Sequence, residues 1–286
     1  MDETVDGEKI FFTAEAILNT VSLTPSRSLP VKDLLPRDDR VRRSEATPGT
    51  EILLYDVQCE TPYGVYQAHD MVPILAIGSN SSDEQLSRKL RIFDEACDVF
   101  IMPAWQKGWG VTFMPAMVEY GSFAANYAPL PAIESRVTVG FYRLETARHI
   151  ILSEDTYDIC RIKQPLMLDN GDVFEGALVF MADHGHISLD GGERPALMKE
   201  VTHRGADLPH YHQVSQYEMQ CDIAEKHFSD KSLTEFVDLN IKDDAFREKM
   251  SGEVERLYGM RLSYDKKTDL ILKGENIKSG KKILQY

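Results

Sequence analysis

Two sets of residues in this 286-residue chain have the types and the spacing to do chemistry. The first is a small polar loop and a distant acid: Gly78-Ser79-Asn80-Ser81 follows the apolar run 72–77, and Glu154 stands downstream in the polar stretch Ser153-Glu154-Asp155-Thr156. A strand over 72–77 that runs through Gly78 into a helix from Ser82 leaves free backbone N–H groups at the helix N-terminus, which together with the macrodipole favour an anion. Gly78 has no Cβ to keep a ligand off the backbone, and Ser79 and Asn80 carry short side chains able to donate to a carboxylate or carbonyl oxygen. The same residues also read as an ordinary helix cap, with Ser81, Ser82 or Asp83 at the N-cap and Gln85 in a capping-box-like spacing. Glu154 is a carboxylate that could move protons or simply face water from its loop; Asp155 and Asp158 are rival acids.

The second set is imidazole. Five of the eight histidines fall between His184 and His212. On strands, His184 with His186, and His210 with His212, would each point to one face, and two such pairs supply four nitrogen ligands for a transition metal. Neither pair has an acidic ligand at a fixed spacing, and His203 has no role in the pattern, so exposed or hydrogen-bonded histidines are the plainer reading. Cys59, Cys97, Cys160 and Cys221 form no CxxC pair, which points to reduced thiols, with Cys160 a small core residue. No nucleophile elbow of the G-x-S-x-G kind occurs. Tyr120, Gly121 and Ser122 offer a second wall whose tyrosine hydroxyl could meet a ligand, or else a packed turn.

These side chains need elements to hold them. Residues 1–50 read as an N-terminal helix near 13–21 followed by a Pro-, Ser- and charge-rich extended arm. Between 51 and about 180, β-branched and aromatic runs separated by turn residues predict strands at 51–60, 72–78, 109–118, 136–144, 157–162 and 174–180, with helices at 82–93 and 146–152. Gly108-Trp109-Gly110 reads as a turn between strands with aromatic packing around Trp105, and Leu189–Pro195 as a turn. After Gln213 three amphipathic stretches predict helices, and Phe228, Phe236, Phe246 and Leu257 are spaced to pack on the sheet or on a second copy in a homodimer. The expected fold is α+β: a small mixed β-barrel-like sheet with flanking helices over 51–212, and a C-terminal helical extension over 213–286.

"VPILAIGSN", then "VEYGSFAANYAPLP", "SRVTVGFYRL" and "ILSEDTYDICRI", resemble in order the gamma-glutamylcyclotransferase-like superfamily over about residues 72–180. Ile77 stands where many members have tyrosine, and no glycine follows the acid. The resemblance implies that Ile77, Gly78, Ser79, Asn80 and Ser81, with Tyr120, Gly121, Ser122 and Tyr157, surround a gamma-glutamyl group, and that Glu154 is the catalytic acid and base. The substrate's own α-amine would attack its side-chain amide and close to 5-oxoproline, a reaction that needs no metal or cofactor. A carboxylate doing this near neutrality needs partial burial, for which Ile151, Leu152 and Tyr157 are the flanking groups, and the loop amides would hold the substrate carboxylate.

Composition narrows the partners. Forty-six acidic against 32 basic residues, a net charge of −14, leave no dense cationic face for nucleic acid. No apolar run approaches a membrane span, and the acidic start does not resemble a secretory signal; the expectation is a cytoplasmic protein acting on a small gamma-glutamyl amide or amino-acid derivative. A histidine-cluster metalloenzyme and a non-catalytic binding protein on the same fold are the alternatives.

Overall fold

The computed structural model describes residues 31–43, 51–61, 64–81, 86, 89, 90, 99–154, 157–162, 164–169, 171, 173, 174, 176–182, 184–228, 232–262 and 270–272. The expected helix at 13–21 lies outside them. The architecture is α+β, as the alternation of strand-like and helical runs predicts.

Its centre is one long antiparallel hairpin, β4 (Val99–Met117) and β5 (Phe123–Tyr142). Along much of both strands buried residues alternate with more exposed ones, the signature of a strand with one face on a core. The predicted turn at Gly108–Gly110 is absent: β4 runs straight through it, with Gly108 at φ +81°, and the register shifts beside it, Lys107 facing Glu134 and Trp109 facing Pro129, so that the surplus residues lie on β5. A glycine within aromatic residues mimics a turn in sequence, whereas long-range pairing with β5 decides the outcome. The actual turn is at 118–122, where the Val118 N–H donates to the Ser122 carbonyl and Gly121 takes φ +76°.

Around the hairpin the strands are ordered β13 (Gln213–Val214), β11 (Leu197–Met198), β4, β5, β3 (Gly64–Ala76), β9 (Leu178–Met181), β6 (Asp158–Arg161) and β15 (Leu270–Leu272). Most neighbours are antiparallel, but β3 meets β9 and β11 meets β13 in parallel, so the sheet is mixed. The order is an open path and does not close on itself among the described residues, which corrects the barrel-like expectation: short alternating strands are shared by barrels and curled open sheets, and closure depends on pairings that no local pattern encodes. Part of the expected extended arm is a paired strand, β1 (Val31–Arg43), antiparallel to β2 (Glu51–Thr61), which in turn pairs with β3. Pro36 and the run of charges concealed it, yet both suit an edge strand, and the register slips between Pro36 and Val41.

Two apolar clusters settle the layers. Val72 and Ile74 of β3, Ile159 of β6, and Leu178 and Phe180 of β9 present one face to Ala147, Ile150 and Ile151 of α1 (Leu144–Leu152), with Leu86 joining from the helical segment after β3. The larger cluster runs from Met71 to Val254 and unites β4 and β5 with the C-terminal helices α2 (Gln216–His227), α3 (Leu233–Lys242) and α4 (Asp244–Tyr258). Those three helices fall where their periodicity predicts them. Phe228, Phe236 and Phe246 pack on one another in tilted and edge-to-face arrangements at 5.2 to 6.3 Å between ring centres, while Leu257 remains 40% exposed. Full burial of Phe236 is worth roughly 1.5–3 kcal/mol, so this region shares the main core.

Candidate functional site

The polar loop begins where β3 ends. Ile77 packs its side chain partly against the larger core, Gly78 is exposed, and residues Ser79–Ser81 form one 3-10 turn. A Cβ built on Gly78 would meet only Ala125 Cβ, at 3.6 Å, an ordinary contact. Packing does not demand glycine there, so what its absent Cβ provides is open space at the loop. The Ser81 N–H and hydroxyl both donate to the Gly78 carbonyl, at 2.9 and 2.6 Å; they fold the loop on itself and do not point outward as the sequence expectation has it.

Glu154 arrives from the other side. It stands two residues past the end of α1, its N–H donating to the Ile151 carbonyl at 3.2 Å, and its own carbonyl accepts from the Tyr157 N–H at 3.1 Å. This backbone anchoring aims the side chain at the loop: Asn80 Nδ2 donates to Glu154 Oε1 at 3.0 Å across 74 positions of sequence. A carboxylate at a helix C-terminus faces the negative end of the macrodipole, a penalty of about 0.3–1 kcal/mol. Lys89 offsets it. Its ammonium pairs with Glu154 Oε1 and also donates to Asn80 Oδ1 at 2.8 Å, closing a triangle in which Lys89 and Glu154 side chains are only 15% and 14% exposed. The His149 ring, at Nε2, donates to the Lys89 carbonyl at 2.8 Å, so the segment bearing the ammonium is tied to the helix that presents the acid.

Two buried phenols feel the charge of the acid. Burial first, and then the negative charge of Glu154, push Tyr142 and Tyr157 far above the usual tyrosine range, Tyr120 adding a smaller push on Tyr157. Both are therefore neutral O–H groups at physiological pH, and Tyr157 donates to the Ala125 carbonyl at 3.3 Å. The structure divides the expected second wall. Tyr120 is half-buried on the Tyr157 side, whereas Gly121 packs toward Val237 and Ile241 of α3 and accepts from Gln220 Nε2. Ser122 serves in the hairpin turn. Of the apolar groups expected around the acid, Ile151 is buried in the smaller core but Leu152 is 41% exposed. The rival acid Asp158 is buried in β6, opposite Met181, and Asp155 lies outside the described residues.

The histidines do not converge. His184 is exposed in a turn, and His186 is buried in β10 (His186–Ile187), its Nδ1 2.8 Å from Thr112 Oγ1. His210 ends a 3-10 turn, Leu208–His210, and His212 follows in extended chain; both are exposed. His203 is buried in β12 (His203–Arg204), accepts from the Val111 N–H at 3.3 Å, and is pulled down to about 4 by burial, opposed by the backbone at Val201 and Val111. Among the described residues no three His, Cys, Asp or Glu side chains are grouped to hold a metal ion. Cys160 is buried as expected, and no described helix is long and apolar enough to cross a membrane.

Sequence reasoning missed Lys89, His149 and Tyr142. Lys89 had a usable signal: it lies three residues after Leu86, the position that turns onto the same side of a helix, and Leu86 is buried in the core under α1.

No family model matches the chain, and no curated protein matches it. Two solved structures are similar to it: the uncharacterized protein loc79017 from Homo sapiens, at 13% identity, covering 38% of this chain and 65% of that one with a TM-score of 0.33; and YkqA from Bacillus subtilis, at 13% identity, covering 66% of this chain and 69% of that one with a TM-score of 0.27. The chain thus spans 65% of the length of the first.

Proposed function

We propose that this chain is a cofactor-independent enzyme of the gamma-glutamylcyclotransferase-like type, cleaving a small gamma-glutamyl amide into 5-oxoproline and a free amine. The observation that carries the reading is the meeting of two sequence-distant candidates: Asn80 of the Gly-Ser-Asn loop donates to Glu154 Oε1 at 3.0 Å. An acid that merely faced water would not be 14% exposed and gripped by two donors.

The chemistry follows from the groups present. The α-nitrogen attacks the side-chain amide carbon, a C–N bond forms as the ring closes, and the original amide C–N bond breaks. Two protons must pass from the attacking nitrogen to the departing one, and Glu154 takes and returns them, general acid–base work of about 10²–10⁴-fold. The exposed loop at Gly78 receives the glutamyl group, and holding attacking and attacked atoms together supplies the remaining advantage. The neutral Tyr142 and Tyr157 phenols bring no second negative charge to compete for the ammonium.

The test is product identity. The protein is incubated with glutathione, γ-L-glutamyl-L-alanine and γ-L-glutamyl-n-propylamine in water enriched in oxygen-18, and the products are read by mass spectrometry. Cyclisation yields 5-oxoproline free of the label, with an equal amount of amine. Labelled glutamate would mean that water is the nucleophile, and no product from any compound would overturn the substrate class.

A further inference from the structure

Glu154 is proposed above to receive a cation from the substrate, yet it already holds one. The Lys89 ammonium sits on Glu154 Oε1 and on Asn80 Oδ1, the same acceptors that an incoming α-ammonium would seek. Two ammonium groups sharing one carboxylate repel, so a substrate that binds there must move Lys89 or supply an anion of its own beside it. An α-amino acid head group supplies one: it carries an ammonium and a carboxylate on a single carbon. Exchanging the Lys89–Glu154 pair for the two crossed pairs, Glu154 with the α-ammonium and Lys89 with the α-carboxylate, leaves no charge unmatched in a site where both side chains are largely buried.

The loop geometry strengthens the case for a lysine in this role. Ser81 was expected to offer its amide to the substrate carboxylate, but its N–H and hydroxyl are both spent on the Gly78 carbonyl. The cation standing over the loop is Lys89, and it is held there from both ends: the His149 ring grips its carbonyl at 2.8 Å and Asn80 accepts from its ammonium at 2.8 Å. We infer that Lys89 is the residue that selects a free α-carboxylate, passing its ammonium from Glu154 to the glutamyl carboxylate when substrate enters. The inference rests on the cyclotransferase reading and deepens it, because it makes a zwitterionic glutamyl head group the recognised unit.

The experiment compares each of the three amides above with the same molecule capped at its glutamyl α-carboxylate as a primary carboxamide. The cap removes the charge and keeps the attacking amine; the capped product is 5-oxoprolinamide, so the released amine is the common readout. Wild-type protein should favour the free acid in kcat/KM by on the order of 10- to 100-fold, the size of one charge-assisted contact. Lys89→Met should bring that ratio to within about 2-fold, mainly by raising KM for the free acid, as loss of uniform binding does; Lys89→Arg should restore much of it. If Lys89→Met does not fold, the wild-type ratio and the Lys89→Arg variant still decide. Equal turnover of acid and capped forms by the wild type, or equal losses on both in Lys89→Met, would overturn the role of Lys89 while the reaction itself stood. Absence of amine release from every compound would overturn the reaction and this inference with it.

Discussion

The loop-and-acid site and the histidine-rich segment looked alike in sequence, each a concentration of side chains suited to chemistry, and the fold treats them in opposite ways. Asn80, Lys89 and Glu154 come from three separate stretches and close into one hydrogen-bonded triangle between the end of β3 and the end of α1. The five histidines are close in sequence and scatter in space: His203 is buried in the main sheet, His186 is buried in a separate two-stranded pairing with Met260, and His184, His210 and His212 face solvent. Proximity along the chain therefore says little about a site. Convergence from distant segments, with each polar group answered by another, says more, because aligning three segments on one carboxylate has an entropic cost that a surface residue does not bear.

If the histidines are structural, the largest effect in their segment is on stability against acid. His203 is pulled down to about 4 from 6.5, so between those values the unfolded chain binds a proton that the folded one does not. Its contribution, about 3 kcal/mol at 1.36 kcal/mol per tenfold, is fully present above pH ~6.5 and is lost as the pH falls toward ~4. Urea unfolding midpoints at pH 7 and pH 4.5 should show His203→Gln less acid-sensitive than the parent; an unchanged pH slope would count against a neutral, buried His203.

Next in size is the loop. Asn80→Ala removes the donor that fixes Glu154 and the acceptor for Lys89, and a misplaced carboxylate of about 1 Å costs on the order of 10²-fold in kcat/KM. The thermal midpoint should fall too, because Asn80 is buried and its loss leaves Glu154 and Lys89 each one hydrogen bond short, a cost of about 1–3 kcal/mol; rates are therefore compared well below both midpoints. A variant as active as the parent would break the comparison on the side of the acid site.

Thr112→Val probes the buried histidine of the other region. The Thr112 hydroxyl is 2.8 Å from His186 Nδ1 and donates to the Asn126 carbonyl at 3.2 Å, and stranding these groups costs about 1–3 kcal/mol with no change in turnover. The smallest effect belongs to the exposed trio. His184→Ala, His210→Ala and His212→Ala should each shift stability by less than about 0.5 kcal/mol, and dialysis against a chelator should leave the unfolding midpoint and amine release unchanged. Loss of either on chelation would revive the metal reading.

How much of this was legible beforehand follows from what each element depends on. The C-terminal helices were, because their 3.6-residue periodicity and the caps Ser215 and Ser232 are local; so were the β3 run and α1. The register shift opposite Gly108 and the open edge of the sheet were not, because both are fixed by partners tens of residues away. At the candidate site, Gly78, Asn80 and Glu154 were identifiable by type and by family resemblance, whereas Lys89 was marked only by its three-residue spacing from Leu86, which tells nothing of the acid it meets across α1. Tyr142 ends β5 and read only as strand. Gly121 and Ser122 show the converse: their chemistry was suitable, but α3 and the hairpin turn claim them.

The central claim, that Glu154 does proton work at the Asn80 loop, is tested most directly by measuring 5-oxoproline release by wild-type protein and Glu154→Gln on the same gamma-glutamyl amides. Glutamine keeps the shape and an oxygen acceptor for Asn80 and Lys89 but leaves the largely buried Lys89 ammonium without its counter-charge, so the unfolding midpoint should fall; with both proteins assayed well below their midpoints, the rate should fall by about 10²–10⁴-fold. Equal rates from two folded proteins would show that the carboxylate is part of the fold and not of the chemistry.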